Sequence, residues 1–136
     1  EAALQTVERH LRGCRFKAAL GSAMGLAQKA NRYIDATAPW RTLPQDRQAA
    51  ARALWASIAV LSCLKTALYP FMPFSAQKLH RLLGGTGDVQ SAGWTFQKPP
   101  AGQKLAPPEP LFAKLEDKIV EEEDQRLRGA SVAGQK

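Results

Sequence analysis

Apolar residues recur every three or four positions through most of the first 84 residues, and that period predicts amphipathic helices. A short helix over residues 2–12 places Leu4, Val7 and Leu11 on one face, and Gly13 permits a break after it. From about Arg15 to Thr37 a single stripe runs through Phe16, Leu20, Ala23, Met24, Ala27, Ala30 and Ile34. Lys17, Gln28, Lys29, Arg32 and Asp35 fall away from it. Pro39 ends this segment, and Ala38 before it is pushed out of the helical region. A second long helix is expected just after Pro44, with Asp46 in its first turn facing the positive end of the helix dipole. It runs to Leu68 or Tyr69. Its middle, Ala53 to Leu64, is apolar on nearly every side, the pattern of a helix buried between others, with Trp55 and Leu61 in the core. Pro70 and Pro73 break the chain. Ser75 is a candidate cap for a third helix that carries Ala76, Leu79, Leu82 and Leu83 inward and stops at Gly84 and Gly85.

Beyond Gly85 the pattern changes. Residues 86–110 are rich in Gly and Pro and read as an irregular arm, which Trp94 and Phe96 anchor to the helices. Residues 111–128 form a C-terminal helix that folds back, and Glu121–Asp124 is a solvated helical face. Residues 129–136 are expected to be disordered. The fold class is therefore all-α, a helical bundle over residues 1–85 with the arm packed on it.

The chain has 136 residues, enough for one domain, and its 45% apolar content supports a buried core. Its net charge of +7 is unevenly placed. Residues 1–104 carry 14 Lys or Arg against 5 Asp or Glu, whereas residues 105–136 carry 5 against 7. A basic body of this kind attracts polyanions, nucleic acid first among them; a solubilising surface is the alternative.

Chemistry-bearing residues are few. The two cysteines, Cys14 and Cys63, exclude a disulfide framework and a four-cysteine metal site, and both read as packing residues. With only His10 and His80, a site of three or four histidines is excluded, and His80 reads as a satisfied, partly buried residue. Gly84-Gly-Thr-Gly87 lacks the preceding strand and the lysine of a phosphate loop and reads as a helix stop. The 12 charge-free residues between Arg52 and Lys65 are too few to span a bilayer, and no signal peptide opens the chain, so a cytoplasmic setting without membrane contact is expected. A first residue of Glu1 rather than Met points to a fragment or a processed product.

Three segments in order carry a sharper signal. These are Asn31-Arg-Tyr-Ile-Asp-Ala-Thr-Ala-Pro-Trp40, Tyr69-Pro-Phe-Met-Pro-Phe-Ser-Ala-Gln-Lys-Leu79 and Pro110-Leu-Phe-Ala-Lys-Leu-Glu-Asp117. Each is weak alone. Together, over about residues 15–128, they resemble the C-terminal anticodon-binding region of methionyl-tRNA synthetase. Related class I synthetases share the helical bundle but fit the Pro-Trp motif less well. The resemblance implies that Trp40 stacks on the unstacked first anticodon base, that Pro39 holds the turn presenting it, and that Arg41 and Arg32 lie near for a base and its phosphate. Single-stranded loop bases offer open faces to aromatic side chains, so the chemistry stands on its own terms. Without the resemblance, Trp40 reads as a core or bundle-cap residue. Asn31, on the apolar stripe, is expected to be a buried hydrogen-bonding residue that fixes the helix end, and Tyr33 to pack at the junction.

The implied partners are the anticodon loop of tRNA(Met) and a catalytic domain of the same parent chain. That domain's His-x-Gly-His and Lys-Met-Ser-Lys-Ser signatures are absent here, as is an Asn-x-x-x-Arg helix that the family uses in reading the anticodon. No cofactor is expected in this chain, and ATP and Mg²⁺ belong to the parent's catalytic domain. The alternatives are a helical protein-interaction module with an acidic docking tail, or the equivalent domain of another class I synthetase.

Overall fold

The first helix, α1 (Ala2–Arg12), buries Leu4 and Val7, one turn apart on the expected face. It ends at Gly13, and it is Cys14, at φ 54°, that takes the left-handed turn into α2 (Phe16–Thr37). In the computed structural model, which describes residues 1–114 and 116–133 (only the backbone of Asp117 and of residues 128–133), α2 packs on α1 and on α4 (Arg47–Leu68). Between them lies the single-turn helix α3 (Pro39–Thr42). The core joins Leu4 and Val7 of α1, Ala19 and Ala23 of α2, and Cys63 and Ala67 of α4. Ala19, Ala23 and Ala67 are fully buried. Small side chains at these points let the helix backbones approach closely, so the core is built as much on alanine as on leucine.

The side of α2 that faces inward is thus set by Ala19 and Ala23, and the larger residues of its stripe lie beside that contact. Phe16, Leu20 and Met24 are exposed, contrary to expectation. The second correction concerns α4. Asp46 is its N-cap rather than a first-turn residue, its carboxylate accepting from the Ala49 N–H at 2.8 Å. Residues 62–67 are buried, the first three of them within the expected apolar run and the rest beyond it. Toward the N-terminus, however, Leu54 and Trp55 are exposed, and Leu61 is at the margin of exposure at 36%. Uniform apolarity hides direction, and this half of the helix is covered on one side only. By length and hydropathy α4 also resembles a membrane span, but its C-terminal half is the centre of the bundle, packed against α1, α2 and the following helix.

That helix, α5 (Pro73–Leu82), starts with Pro73 at its first position, where a missing N–H costs nothing, so Ser75 is not its cap. It ends in a Schellman turn. The Gly85 N–H donates to His80 O and the Gly84 N–H to Arg81 O, both at 2.9 Å. Gly84, at φ 79°, admits no side chain, because a Cβ there would strike the Lys104 carbonyl. The glycine stop is therefore also the seat of the arm.

The arm over residues 86–110 is tied down at several points. Trp94 Nε1 donates to Leu4 O (3.3 Å), and Trp94 and Phe96 pack against the core. The Ser62 hydroxyl donates to Gln97 O (2.8 Å), and the Ala106 N–H to Leu82 O (3.0 Å). Farther on, the Lys78 ammonium meets Glu109 at 3.3 Å and donates to Pro110 O at 2.8 Å.

The last helix, α6 (Asp117–Ala133), begins later than the expected residue 111 and continues past Arg128. Gly129 does not stop it: one glycine costs a helix only about 1 kcal/mol, and the neighbouring Ala130 and Ala133 favour continuation. The expected disorder is thus corrected over residues 129–133, and residues 134–136 lie outside the described ones. Nor does α6 fold back. Residues 118–127 are all exposed, and α6 takes no part in the main helix packing.

Candidate nucleic-acid interface

The corner between α2 and α4 is built backbone first. The Ala38 N–H closes α2 on Ile34 O (2.9 Å), and Ala38 itself sits at φ 36°, ψ 61°, in the left-handed region. A non-glycine residue pays for that conformation, so surrounding bonds must hold it. They do. The Thr42 hydroxyl donates to Thr37 O (3.0 Å) and lies 3.2 Å from Ala38 O, while the Ala38 carbonyl also accepts the Arg41 N–H (2.8 Å) and the Thr42 N–H (3.1 Å). Pro39 is buried at the first position of α3, where its fixed φ suits a helix start. Packing of α3 on α4 then fixes the turn in space.

This arrangement turns the next side chain outward. Trp40 is 58% exposed, an unusual position for the largest apolar side chain. Arg41 beside it is exposed, as is Arg32 on the last turns of α2, and among the described residues neither arginine is in an ion pair. Of the four residues singled out in the sequence, Pro39 lies in the fold and Trp40, Arg41 and Arg32 lie on the surface. Two neighbours depart from expectation. Asn31 is exposed and its side chain makes no hydrogen bond among the described residues, so it fixes no helix end. Tyr33 is 41% exposed. The helix end is held instead by Thr37 and Thr42, whose hydroxyls bond to backbone carbonyls.

Elsewhere Trp55, expected in the core, is 44% exposed and has the Lys98 ammonium 5.7 Å from its ring centroid, within range of a cation–π contact. Cys63 is buried, and burial pushes its thiol above the usual cysteine range, so it stays a packing residue. Cys14 is exposed rather than packed. Among the described residues no three His, Cys, Asp or Glu side chains come together to hold a metal ion.

The sequence reading missed Lys65. It stands at the end of the apolar run and is only 3% exposed. Its ammonium lies 3.0 Å from His80 Nδ1 and donates to Gln97 Oε1 at 2.7 Å, while His80 Nε2 lies 3.1 Å from Thr86 O. Donation by Lys65 requires Nδ1 to accept, so Nε2 carries the proton and donates to Thr86. His80 is thus buried and satisfied, as its place on α5 predicts. A lysine within an apolar helix was the available signal, and its helical position relative to Ser62 and Thr66 was the means of reading it.

Burial holds the Lys65 ammonium below the usual lysine range. Between that lowered value and the ordinary value of about 10.4, the unfolded chain binds more protons than the folded one, so stability should rise with pH across this window. Urea midpoints from pH 8 to pH 10.5 should show a rise in the native protein that is reduced in Lys65→Met. Equal pH profiles would contradict the assignment.

Fold and corner together define a class, an all-α domain that holds an exposed aromatic side chain and an exposed arginine at a hydrogen-bonded turn between two long helices. The family model described as the anticodon binding domain of methionyl tRNA ligase matches residues 1–132, and the chain belongs to that family. It is 48% identical over 126 residues to a methionine--tRNA ligase of Dehalococcoides mccartyi, covering 93% of this chain and 23% of that protein. With the methionine--tRNA ligase of Roseiflexus castenholzii it shares 37% identity over 150 residues, covering 91% of this chain and 25% of the relative. For that of Thermomicrobium roseum the identity is 38% over 142 residues, with coverage of 85% and 24%. The chain thus spans about a quarter of the length of these relatives.

Proposed function

We propose that this domain binds the anticodon loop of tRNA(Met), reading CAU for a methionine–tRNA ligase whose catalytic domain attaches methionine with ATP and Mg²⁺. The observation that carries the reading is Trp40, exposed at a turn that the backbone goes to some cost to hold. An unstacked anticodon base offers a flat apolar face that this indole can cover, and Arg41 and Arg32 are free to meet phosphate. Family membership and the basic character of residues 1–104 support the same reading. The domain contributes recognition rather than chemistry.

Stacking supplies affinity without much base choice, because every base has a π-face. The Asn-x-x-x-Arg helix that the resemblance implies for anticodon reading has no counterpart among these residues. This chain should therefore prefer CAU only modestly over an anticodon changed at its first base.

A salt titration tests the polyanion part of the proposal. If Arg32 and Arg41 each neutralise one phosphate, tRNA affinity should fall by about tenfold between 50 and 200 mM salt. A flat salt profile, or no binding of tRNA at low salt, would reject the proposed partner in favour of a protein-interaction module.

A further inference from the structure

At the arm end of the bundle, α4, α5 and the arm line a half-open cavity of about 380 Å³. Along α4 it is lined by Ile58, Ser62 and Lys65, in the half of the helix away from the Asp46 cap. Its volume is within the range of small-ligand sites, roughly 300–1,000 Å³. Lys65, His80, Gln97 and Lys98 are among its polar walls, with Ser62, Thr86 and Gln103, and among the described residues no Asp or Glu lines it. Asp88, on the nearby arm, is exposed, and its carboxylate is engaged by the Ser91 N–H at 2.7 Å and the Ser91 hydroxyl at 2.9 Å.

Lys65 is the anomaly. Buried ammonium groups are costly unless paired with an opposite charge, yet both partners of Lys65, an imidazole nitrogen and an amide oxygen, are neutral acceptors. Among the described residues, two of its three N–H donors are used. Gln97 Nε2 makes no hydrogen bond among the described residues, so a neutral donor remains on the side chain that accepts from the ammonium. Lys98, on the rim over Trp55, adds a second ammonium on a flexible stem.

We propose that this cavity is an anion site for a phosphoryl group, with Lys65 as its fixed counter-charge and Lys98 as a mobile second one. The missing charge, the unused donors and the cavity volume all favour a small phosphorylated ligand over a bare halide. The site is independent of the anticodon reading. A phosphoryl group can come from a free phosphate ester or from an RNA backbone, and the chemistry of capture is the same.

The test is calorimetric titration of the chain with inorganic phosphate at pH 7 and low ionic strength. Saturable binding at one site per chain is expected. Lys98→Ala should weaken it several-fold. Lys65→Met should weaken it at least tenfold, and Gln97→Glu should do the same by placing a carboxylate 2.7 Å from the ammonium in phosphate's stead, a change that retains the contact between residues 65 and 97. Amide exchange at Val89 and Ala106, whose N–H groups bond to α5, shows whether the arm stays docked in each variant. Absence of saturable binding to the native chain would overturn the proposal. So would unchanged phosphate affinity in Gln97→Glu with the arm docked. Competition between phosphate and tRNA would assign the phosphoryl group to RNA, and mutual indifference would assign it to a free ligand; both outcomes retain the site.

Discussion

Replacing Leu64 with alanine should destabilise the domain by roughly 2–5 kcal/mol, the cost of removing a fully enclosed leucine side chain and leaving a cavity. Leu64 is 5% exposed and lies in the stretch of α4 where every residue from 62 to 67 is buried. Its flanking residues Ser62, Cys63, Lys65, Thr66 and Ala67 are buried as well, so little solvent is at hand to fill the space that truncation leaves. Leu61→Ala makes the contrast. Leu61 is 36% exposed on the same helix, and its truncation should cost clearly less than that of Leu64. Urea denaturation of the two variants measures both values, and equal losses would show that the burial pattern along α4 is wrong.

The comparison of these two leucines also shows how far the sequence could be read. Gly13, Pro39, Pro44, Pro70, Pro73 and the Gly84–Gly85 pair punctuate the chain, and helices α2, α4 and α5 fall between them as those residues dictate. The Trp94 and Phe96 anchors were legible because two aromatics in a polar, Gly- and Pro-rich arm have few other uses. Direction was not legible where a helix is apolar all round. Nothing in Ala53–Leu64 alone tells Trp55 from Leu64, and only the placement of α5 and the arm decides which is covered. On α2 the periodicity located the apolar side correctly but weighted it by size, giving Phe16, Leu20 and Met24 a burial that belongs to Ala19 and Ala23. Asn31 was misplaced by the same stripe. At the corner, Pro39 and Trp40 came from the motif, whereas the threonine bonds that hold Ala38 left-handed needed coordinates. Lys65 was hidden because its partners, His80 and Gln97, are 15 and 32 residues away in the chain.

On the proposed function, Trp40→Ala should cost roughly 1–3 kcal/mol of tRNA binding, the usual yield of one aromatic–base stack. The fold should survive. At 58% exposure the indole contributes little to packing, and removal of such a surface side chain shifts stability by about 0.5 kcal/mol or less. Pro39, which is buried and sets the turn, is the opposite case: Pro39→Ala should loosen the corner and weaken tRNA binding while Trp40 is still present. Circular dichroism and a denaturation curve separate the two effects. A Trp40→Ala protein that unfolds would return the residue to the role of a bundle cap.

The stack between Trp40 and the first anticodon base is most directly tested by a double-mutant cycle. An anticodon stem–loop carrying CAU and one lacking the first base are each titrated against the native chain and Trp40→Ala. If the indole and that base touch, each single change should weaken binding by roughly 1–3 kcal/mol, and the double change should cost little more than either alone. Additive losses, or no loss from either change in a folded protein, would contradict the account.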